Sequence, residues 1–279
     1  MEVGVAMFIT DYSIAPTALA QALEERGFDS FWAPEHSHIP LSRVSDFPQG
    51  GDLPKKYYDV MDPFVVLTAA AAVTTTLKVA TGICLVPQRD PIQTAKSVAS
   101  LDQISGGRFL FGIGPGWNAD EMANHGTAFG GRMRVMRERV EAMRAIWTES
   151  KPQYDGETVK FGPMMTWPKP VQQPHPPVLI GGGIPHGARR ALAYGDGWVP
   201  HARRPDYRLV ERMGEYRAMA NEAGRELPIT AFGAEHEPSA WGEYRDHGID
   251  RIVLSMDSEP ADAVLPKLDV WARALDNLN

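Results

Sequence analysis

The sequence predicts a (β/α)8 barrel of the α/β class, and three observations carry that prediction. The chain has 279 residues, which is close to the usual length of one such barrel. Short apolar runs alternate with amphipathic stretches from end to end, as expected for strands and helices around a parallel sheet. The longer connections follow the predicted strands, at the face where such barrels carry their active sites. We therefore expect one domain over residues 1–279.

Eight strands and eight helices are expected in alternation. The strands are predicted at Val3–Ile9, Ser30–Ala33, Lys78–Cys84, Arg108–Ile113, Val178–Ile180, Trp198–Val199, Ile229–Phe232 and Arg251–Ser255. The helices are predicted at Pro16–Arg26, Pro63–Thr74, Pro91–Ile104, Arg132–Glu149, His186–Tyr194, Tyr207–Glu222, Ser239–His247 and Pro260–Asp276. Gly27 and Gly248 follow two of these helices, where a glycine at positive φ can end a helix before the next strand.

Long connections interrupt this alternation. Residues 34–61 follow the second strand and residues 114–131 follow the fourth. Residues 150–177 contain a turn-rich segment and repeated prolines, which predict a small hairpin followed by an extended arm. We interpret that stretch as an insertion into the barrel. The connection from Gly233 to Pro238 is short, which favours an open pocket.

Composition and charge favour a globular protein whose ligand is a small molecule. The 43% hydrophobic and 23% charged residues are ordinary for a globular protein, and the net charge of -7 comes from interspersed acids, which argues against a nucleic-acid surface. No window resembles a membrane span, and no secretory signal is recognised, so we expect a cytoplasmic protein. Cys84 has no partner for an internal disulfide, and no Cys/His spacing suggests a metal site.

A glycine-rich segment closes the fourth predicted strand. It reads Gly112, Ile113, Gly114, Pro115, Gly116, Trp117. Glycines let a backbone approach a flat ring or a phosphate, so Gly114 and Gly116 are candidate cofactor contacts. The adjacent Trp117 is a further candidate. A tight turn is an equally good interpretation of the same segment. The dinucleotide-binding fingerprint does not fit, because Pro115 and Trp117 interrupt it.

A second glycine run stands between the fifth strand and a helix. Consecutive backbone N–H groups at Gly181, Gly182 and Gly183, ahead of a helix that contains Arg189 and Arg190, can bind a phosphate. The alternative is a purely structural turn. At the end of the third strand, Gly82 stands where a strand interior would normally avoid glycine, which indicates a bulge at the barrel rim.

Together these segments resemble the luciferase-like monooxygenase superfamily. The segments that carry the resemblance are Thr81–Pro91, Leu101–Arg108, Phe111–Trp117, Leu179–Gly183 and Gly195–Trp198. The resemblance implies a (β/α)8 barrel that binds the deazaflavin coenzyme F420 or FMN, usually as a homodimer. It also implies a non-proline cis peptide at the end of the third strand, between Gly82 and Ile83, which places both residues against the cofactor ring.

Within this resemblance, Glu35 and His36 are similar to the acid and histidine of deazaflavin-dependent members. Hydride transfer between a carbinol and a ring carbon requires a partner for the hydroxyl proton, and imidazole suits that task near neutral pH. Glu35 could orient His36 or contact the cofactor. The alternative is that both residues only cap their loop.

Other candidate positions say less about function. Some sugar-phosphate-oxidising deazaflavin members have a glutamate where this chain has Trp117, and Glu121 lies four residues further on, so their substrate chemistry does not transfer. Trp117 is either a pocket wall or a packing residue. Trp198 is expected beside the cofactor ring, and His201 is as well explained as a loop residue.

The leading hypothesis is an oxidoreductase that moves a hydride between F420 and a small organic substrate, and the Glu35–His36 pair favours it. The first alternative is an FMN-dependent monooxygenase that uses reduced flavin and O2 in a pocket that excludes water. The second is a protein that binds the cofactor without turnover. The substrate is not specified by the sequence.

Overall fold

Eight parallel strands curve into a nearly closed barrel in the computed structural model, which describes residues 1–275 and 278. In chain order the barrel strands are β1 Glu2–Met7, β2 Ser30–Ala33, β3 Lys78–Thr81, β4 Phe109–Gly114, β5 Val178–Gly181, β6 Gly197–Val199, β7 Thr230–Ala234 and β8 Arg251–Met256. Each pairs in parallel with its neighbour, and β8 pairs with β1. Single bridges from Trp198 to Ile229 and from His201 to Phe232 join β6 to β7. The predicted fold class is therefore confirmed.

Helices connect the strands and cover the outside of the barrel. They are α1 Pro16–Glu25, α2 Lys56–Asp59, α3 Pro63–Ala72, α4 Pro91–Ser105, α5 Ala119–Asn124, α6 Arg132–Thr148, α7 His186–Tyr194, α8 Leu209–Ala223, α9 Trp241–Asp246 and α10 Ala261–Leu275. Short 3-10 turns occur at Val86–Gln88, Phe129–Gly131 and Pro238–Ala240. Asp62 and Asp90 cap α3 and α4, and each is followed by a proline at the first helical position, which explains where these helices begin.

Two differences from the predicted elements have local causes. Helix α8 begins at Leu209 rather than at Tyr207, because Tyr207–Arg208 pairs with Arg203–Arg204 in an antiparallel hairpin. Helices α2 and α5 were not expected, and both lie inside long connections on the carboxyl side of the barrel. They give those connections fixed geometry above the strand ends.

The apolar core has two parts. Inside the barrel a small cluster is formed by Ala6, Trp32, Ala80, Leu179, Val199 and Val253. A much larger cluster fills the space between the sheet and the helices, and it includes Trp198, Tyr216 and Trp241. Because successive residues of a strand face opposite sides of the sheet, Val199 points into the barrel and its neighbour Trp198 points out.

Strand β3 stops earlier than predicted. It ends at Thr81, the Gly82–Ile83 peptide is cis as predicted, and pairing resumes when Cys84 and Leu85 align with the end of β4. The Thr81 hydroxyl donates to the Gly112 carbonyl at 2.6 Å. A Cβ at Gly112 would lie 2.2 Å from the Thr81 carbonyl oxygen, so this close approach of two backbones requires glycine.

The insertion at 150–177 contains the predicted hairpin and arm. Tyr154–Asp155 pairs with Lys160–Phe161, and the Glu138 carboxylate of α6 accepts from the Thr158 backbone N–H at 2.7 Å. In the arm, the Gln172 backbone N–H donates to the buried Asp102 carboxylate of α4 at 2.9 Å. These bonds attach both parts of the insertion to barrel helices.

Among the residues that the structure describes, no helix is long and apolar enough to cross a bilayer. In the same residues no group of three His, Cys, Asp or Glu side chains is arranged to hold a metal ion. Cys84 is a buried free thiol, and burial raises its pKa well above the ordinary value, so it lacks the thiolate character of a reactive cysteine.

Candidate active site

A cavity of about 350 Å³ opens at the carboxyl ends of the barrel strands. Of the residues expected in the site, the cavity is lined by Glu35, His36, Gly82, Ile83, Gly116, Trp117, Gly181 and Gly182. These residues come from the ends of four different strands. The carboxyl face is where barrel enzymes assemble their sites, so most of the sequence-derived candidates border the cavity, and Gly114, Gly183 and Trp198 are outside its lining.

His36 is held by a glutamate from another connection. Its Nδ1 lies 2.8 Å from Oε2 of Glu121, and both side chains are buried. The other carboxylate oxygen of Glu121 accepts from the Ser37 backbone N–H at 3.1 Å. Because a carboxylate only accepts hydrogen bonds, Nδ1 carries the hydrogen and Nε2 is the ring nitrogen able to accept a proton.

Helix α5 positions Glu121. Asn118 caps this helix, and its side-chain oxygen accepts from the Glu121 backbone N–H at 3.4 Å. An Asn followed three residues later by Glu is a recognisable helix-start pattern. That pattern could have placed Glu121 in a first helical turn from sequence. It could not have shown that this turn lies against His36.

Glu35 does not orient His36, so that part of the expectation is corrected. One oxygen of Glu35 accepts from the Leu85 backbone N–H at 2.5 Å, and the other accepts from the Arg89 guanidinium. Arg89 also pairs with Asp62. Glu35 is therefore a buried, charge-compensated carboxylate that fixes the backbone just after the cis peptide, although it still borders the cavity.

Ile83 projects from the bulge toward the neighbouring strands, and glycines make room for it. A Cβ at Gly114 would lie 1.9 Å from Cδ1 of Ile83, and one at Gly181 would lie 2.9 Å from the same atom. Gly114 is not part of the cavity lining. Gly114 therefore leaves space for the Ile83 side chain, which does line the cavity, instead of contacting the cofactor as expected.

The backbone at Gly182 has the features of an anion cradle. Its φ is +127° and a Cβ there would lie 3.1 Å from Nη2 of Arg190, so a larger side chain would be strained and would crowd the guanidinium. Arg190 Nε and Arg132 Nε are buried without a hydrogen-bond partner among the described residues. Burial, followed by the charge of Arg190, lowers the pKa of Arg132. Two neighbouring guanidinium groups with unsatisfied donors suit an anion between them.

Trp198 stands behind the cavity wall, which corrects its expected place beside the cofactor ring, whereas Gly183 is half-buried beside the cavity-lining Arg204. A Cβ at Gly183 would lie 2.6 Å from the Tyr207 hydroxyl, so the turn requires glycine here, and the expected role of its backbone in phosphate binding stays a prediction. The Trp198 ring stacks on Tyr216 at 4.8 Å between centroids, and its Nε1 donates to the Gly182 carbonyl at 2.8 Å. Trp198 therefore supports the glycine turn from outside instead of flanking a cofactor ring.

The end of the cavity near the glycine turn is cationic. Arg203 and Arg204 line it together with His201, so His201 belongs to the site. Burial, followed by the charge of Arg204, lowers the pKa of His201. Its ring is therefore neutral at neutral pH, and the positive charge at this end comes from the arginines.

The opposite end is aromatic. The His36 ring centroid is 5.6 Å from that of Trp117 and 5.3 Å from that of Tyr57. Tyr57 and Phe8 also line the cavity, and sequence reasoning identified neither. Phe8 is in the connection after β1, and Tyr57 is in the short helix α2 inside a long connection. No local pattern marks either residue.

The fold and the cavity together define a (β/α)8 barrel with a candidate site at the carboxyl ends of the strands. A family model described as luciferase-like monooxygenase matches residues 15–241. The chain belongs to this family, whose members are oxidoreductases and monooxygenases.

Two curated relatives illustrate the range of similarity. An uncharacterised protein of Mycobacterium tuberculosis is 41% identical over 268 residues, which cover 94% of each chain. The F420-dependent hydroxymycolic acid dehydrogenase of Mycobacterium tuberculosis is 28% identical over 231 residues, which cover 82% of this chain and 59% of the dehydrogenase.

A solved structure supports the fold. The crystal structure of monooxygenase RslO1 from Streptomyces bottropensis superposes with a TM-score of 0.81. The match has 21% sequence identity and covers 99% of this chain and 98% of the other. At this level of identity the likeness concerns the barrel and its connections.

Proposed function

We propose that the chain is an oxidoreductase that transfers a hydride between coenzyme F420 and a small organic substrate. The cofactor phosphate would be held at the Gly181–Gly183 turn, by Arg190 and Arg132. The fit is supported by the Gly182 turn, where a Cβ would crowd the Arg190 guanidinium at 3.1 Å, and by the Nε atoms of both arginines, which are buried without a hydrogen-bond partner in the part of the chain that the structure describes. Gly82, Ile83 and Gly116 would face the ring system.

When bound, a deazaflavin supplies a ring carbon that takes up or gives a hydride. The chain supplies the proton chemistry. Nε2 of His36 accepts the hydroxyl proton of an alcohol, or returns it to a carbonyl oxygen, while Glu121 holds the ring by Nδ1. The aromatic residues around His36 keep water from the reacting atoms.

The buried His36–Glu121 pair is the observation that carries the proposal. A base with a defined tautomer at the cavity wall suits the removal of a hydroxyl proton. The similarity to a dehydrogenase named as F420-dependent supports the same cofactor.

An FMN-dependent monooxygenase is the second candidate. The likeness to a monooxygenase structure over nearly the whole chain favours it. In that case the same phosphate site would bind FMN, and the apolar walls would shield an oxygen reaction from water.

Equilibrium titration with oxidised and reduced F420 and FMN tests these alternatives. Tight binding of F420, followed by alcohol-dependent bleaching of its absorbance, is the expected result. Tight binding of reduced FMN and O2-dependent product formation would favour the monooxygenase. Cofactor binding with no turnover in either assay, and no effect of replacing His36, would favour a binding protein.

Three further expectations stay predictions. We propose that the chain forms a homodimer, as the resemblance implies, and light scattering of the purified protein measures this. We also propose one cooperative domain that includes the insertion at 150–177, which a single unfolding transition would support. Residence in the cytoplasm can be checked by cell fractionation.

A further inference from the structure

An aromatic wall stands beside the candidate base. We use this name for Phe8, Phe47, Tyr57 and Trp117. Phe8 and Tyr57 have ring centroids 4.5 Å apart, and Phe47 lies 5.2 Å from Tyr57 and 6.0 Å from Trp117. Tilted and edge-on ring pairs at these separations are favourable packing arrangements. The four rings therefore form one packed group next to His36, in which Phe8, Tyr57 and Trp117 line the cavity and Phe47 supports Tyr57 and Trp117.

The aromatic wall carries no net charge toward the cavity. Burial raises the pKa of Tyr57 to about 12, so its phenol stays neutral in the physiological range. Two cations lie over rings of the wall, Lys56 over Phe8 at 5.7 Å and Arg43 over Trp117 at 5.8 Å. Neither side chain is part of the cavity lining, and Lys56 is paired with Asp257 at 2.9 Å.

The charges of the cavity lie at its other end or are already compensated. Arg203 and Arg204 stand on the side of the glycine turn, where Cδ of Arg204 is 3.4 Å from the Cβ position of Gly183. Glu35, the carboxylate of the lining, is paired with Arg89. A charged substrate group placed beside His36 would lose hydration without gaining a partner.

We propose that the aromatic wall selects an uncharged substrate with an apolar, ring-sized group attached to its hydroxyl or carbonyl carbon. This inference rests on the proposed hydride transfer, because it assigns the substrate side of the same cavity. Burial of a ring-sized group contributes roughly 1.5 to 3 kcal/mol, which corresponds to about 10-fold to 10²-fold in kcat/KM.

The reaction of such a substrate balances. The carbinol C–H bond breaks with its electron pair, and the hydride goes to oxidised F420, which is reduced. The O–H proton goes to Nε2 of His36, and the carbon–oxygen bond becomes a carbonyl. One alcohol and one oxidised deazaflavin give one ketone, one reduced deazaflavin and one proton.

Four alcohols separate the effect of substrate size on kcat/KM from the effect of substrate charge. They are 2-propanol, 1-phenylethanol, lactate and mandelate. With F420-loaded protein, 1-phenylethanol should exceed 2-propanol in kcat/KM by about 10-fold or more, and mandelate should fall below 1-phenylethanol by a similar factor. A preference for either carboxylate over its neutral counterpart overturns the proposal, as does equal use of the two neutral alcohols.

Ligand-detected NMR with acetophenone and benzoylformate provides a readout independent of turnover. Acetophenone should bind the protein more tightly than benzoylformate, with or without cofactor. If no alcohol reacts but this order holds, the proposed hydride transfer fails while the assignment of the aromatic wall stands. The reverse order overturns the assignment even if F420 binds.

Trp117→Ala is the variant that tests the wall, and Trp167→Ala is its matched control because Trp167 is 58% exposed on the insertion. Trp117→Ala should reduce the preference for 1-phenylethanol over 2-propanol about 10-fold and weaken acetophenone binding. Trp117→Phe should restore most of both. A preference that survives Trp117→Ala, or that falls equally in Trp167→Ala, contradicts the proposal.

Discussion

The Glu121 carboxylate joins the His36 ring to the backbone of the next residue. Its Oε2 lies 2.8 Å from Nδ1 of His36, and its Oε1 accepts from the Ser37 N–H at 3.1 Å. One side chain therefore fixes both the ring and the chain that carries it. Because both carboxylate oxygens face hydrogen-bond donors, the arrangement requires an acceptor at each of the two positions.

Glu121→Gln should reverse the tautomer of His36. An amide has one acceptor oxygen, and the Ser37 N–H can only donate, so the amide oxygen should turn to Ser37 and the NH2 group to Nδ1. Nε2 would then carry the hydrogen and could not accept a hydroxyl proton. We expect kcat to fall on the order of 10²-fold with cofactor affinity retained.

Nitrogen-15 NMR of the His36 ring reports the tautomer directly. Glu121→Asp keeps two acceptor oxygens and should lose less activity than Glu121→Gln. An unchanged tautomer and unchanged kcat in Glu121→Gln would reduce Glu121 to a packing residue.

His36→Ala should retain the cofactor and lose on the order of 10² to 10⁴ in turnover, the usual scale for removal of a general acid or base. The loss should appear mainly in kcat. His38→Ala is the control, since His38 lies two residues away and outside the cavity lining. If His36→Ala lost cofactor affinity with turnover intact, His36 would be a binding residue.

Gly182→Val should weaken cofactor binding while the protein stays folded. Valine disfavours a φ of +127°, and its Cβ would lie 3.1 Å from Nη2 of Arg190. We expect at least a 10-fold rise in the dissociation constant, or about 1.4 kcal/mol. Gly162→Val is the control, because nothing lies within 4 Å of that Cβ position. Unchanged affinity in a folded Gly182→Val protein would remove Gly182 from the phosphate site.

Glu24→Gln tests stability at the opposite face of the barrel. The Glu24 carboxylate accepts from the backbone N–H groups of Thr75 and Leu77, each at 2.8 Å, and from Thr76. Burial alone would raise its pKa, but these donors outweigh burial and lower the pKa from 4.5 to about 2. Glutamine should lower the free energy of unfolding by about 1 to 3 kcal/mol at pH 7.

The difference in free energy of unfolding between the wild type and Glu24→Gln should decrease as the pH falls. Because the folded pKa of Glu24 is depressed, its stabilisation is present above pH 4.5 and is lost as pH falls toward about 2. Denaturant unfolding of the wild type and Glu24→Gln should therefore converge in acid. Glu25→Gln, at the exposed neighbouring position, should track the wild type throughout. A constant difference across this range would contradict the role of the Glu24 charge.

Patterns local in sequence were predictable, and relationships between distant segments were not. The barrel followed from alternating runs, and the cis bond at Gly82–Ile83 followed from the family resemblance. The partner of His36 lies 85 residues away along the chain, so no spacing rule pointed to Glu121. Strand β6 has only three residues, too few for alternation to show that Trp198 faces outward.

Arg190→Met tests the phosphate site by a ratio of affinities. Arg189 is exposed and adjacent on the same helix, so Arg189→Met provides a matched control for the loss of one positive charge. If Arg190 contacts the phosphate, its removal should weaken FMN binding about 10-fold to 10²-fold, because a charge-assisted hydrogen bond contributes about 1.5 to 3 kcal/mol. Riboflavin lacks the phosphate, so its affinity should change little, and the ratio of FMN to riboflavin affinity should fall only in Arg190→Met.

The same comparison with F420 and its phosphate-free deazaflavin core applies to the preferred cofactor. Equal loss for both ligands would assign Arg190 to the fold of the glycine turn, and equal effects of the two variants would indicate general electrostatics.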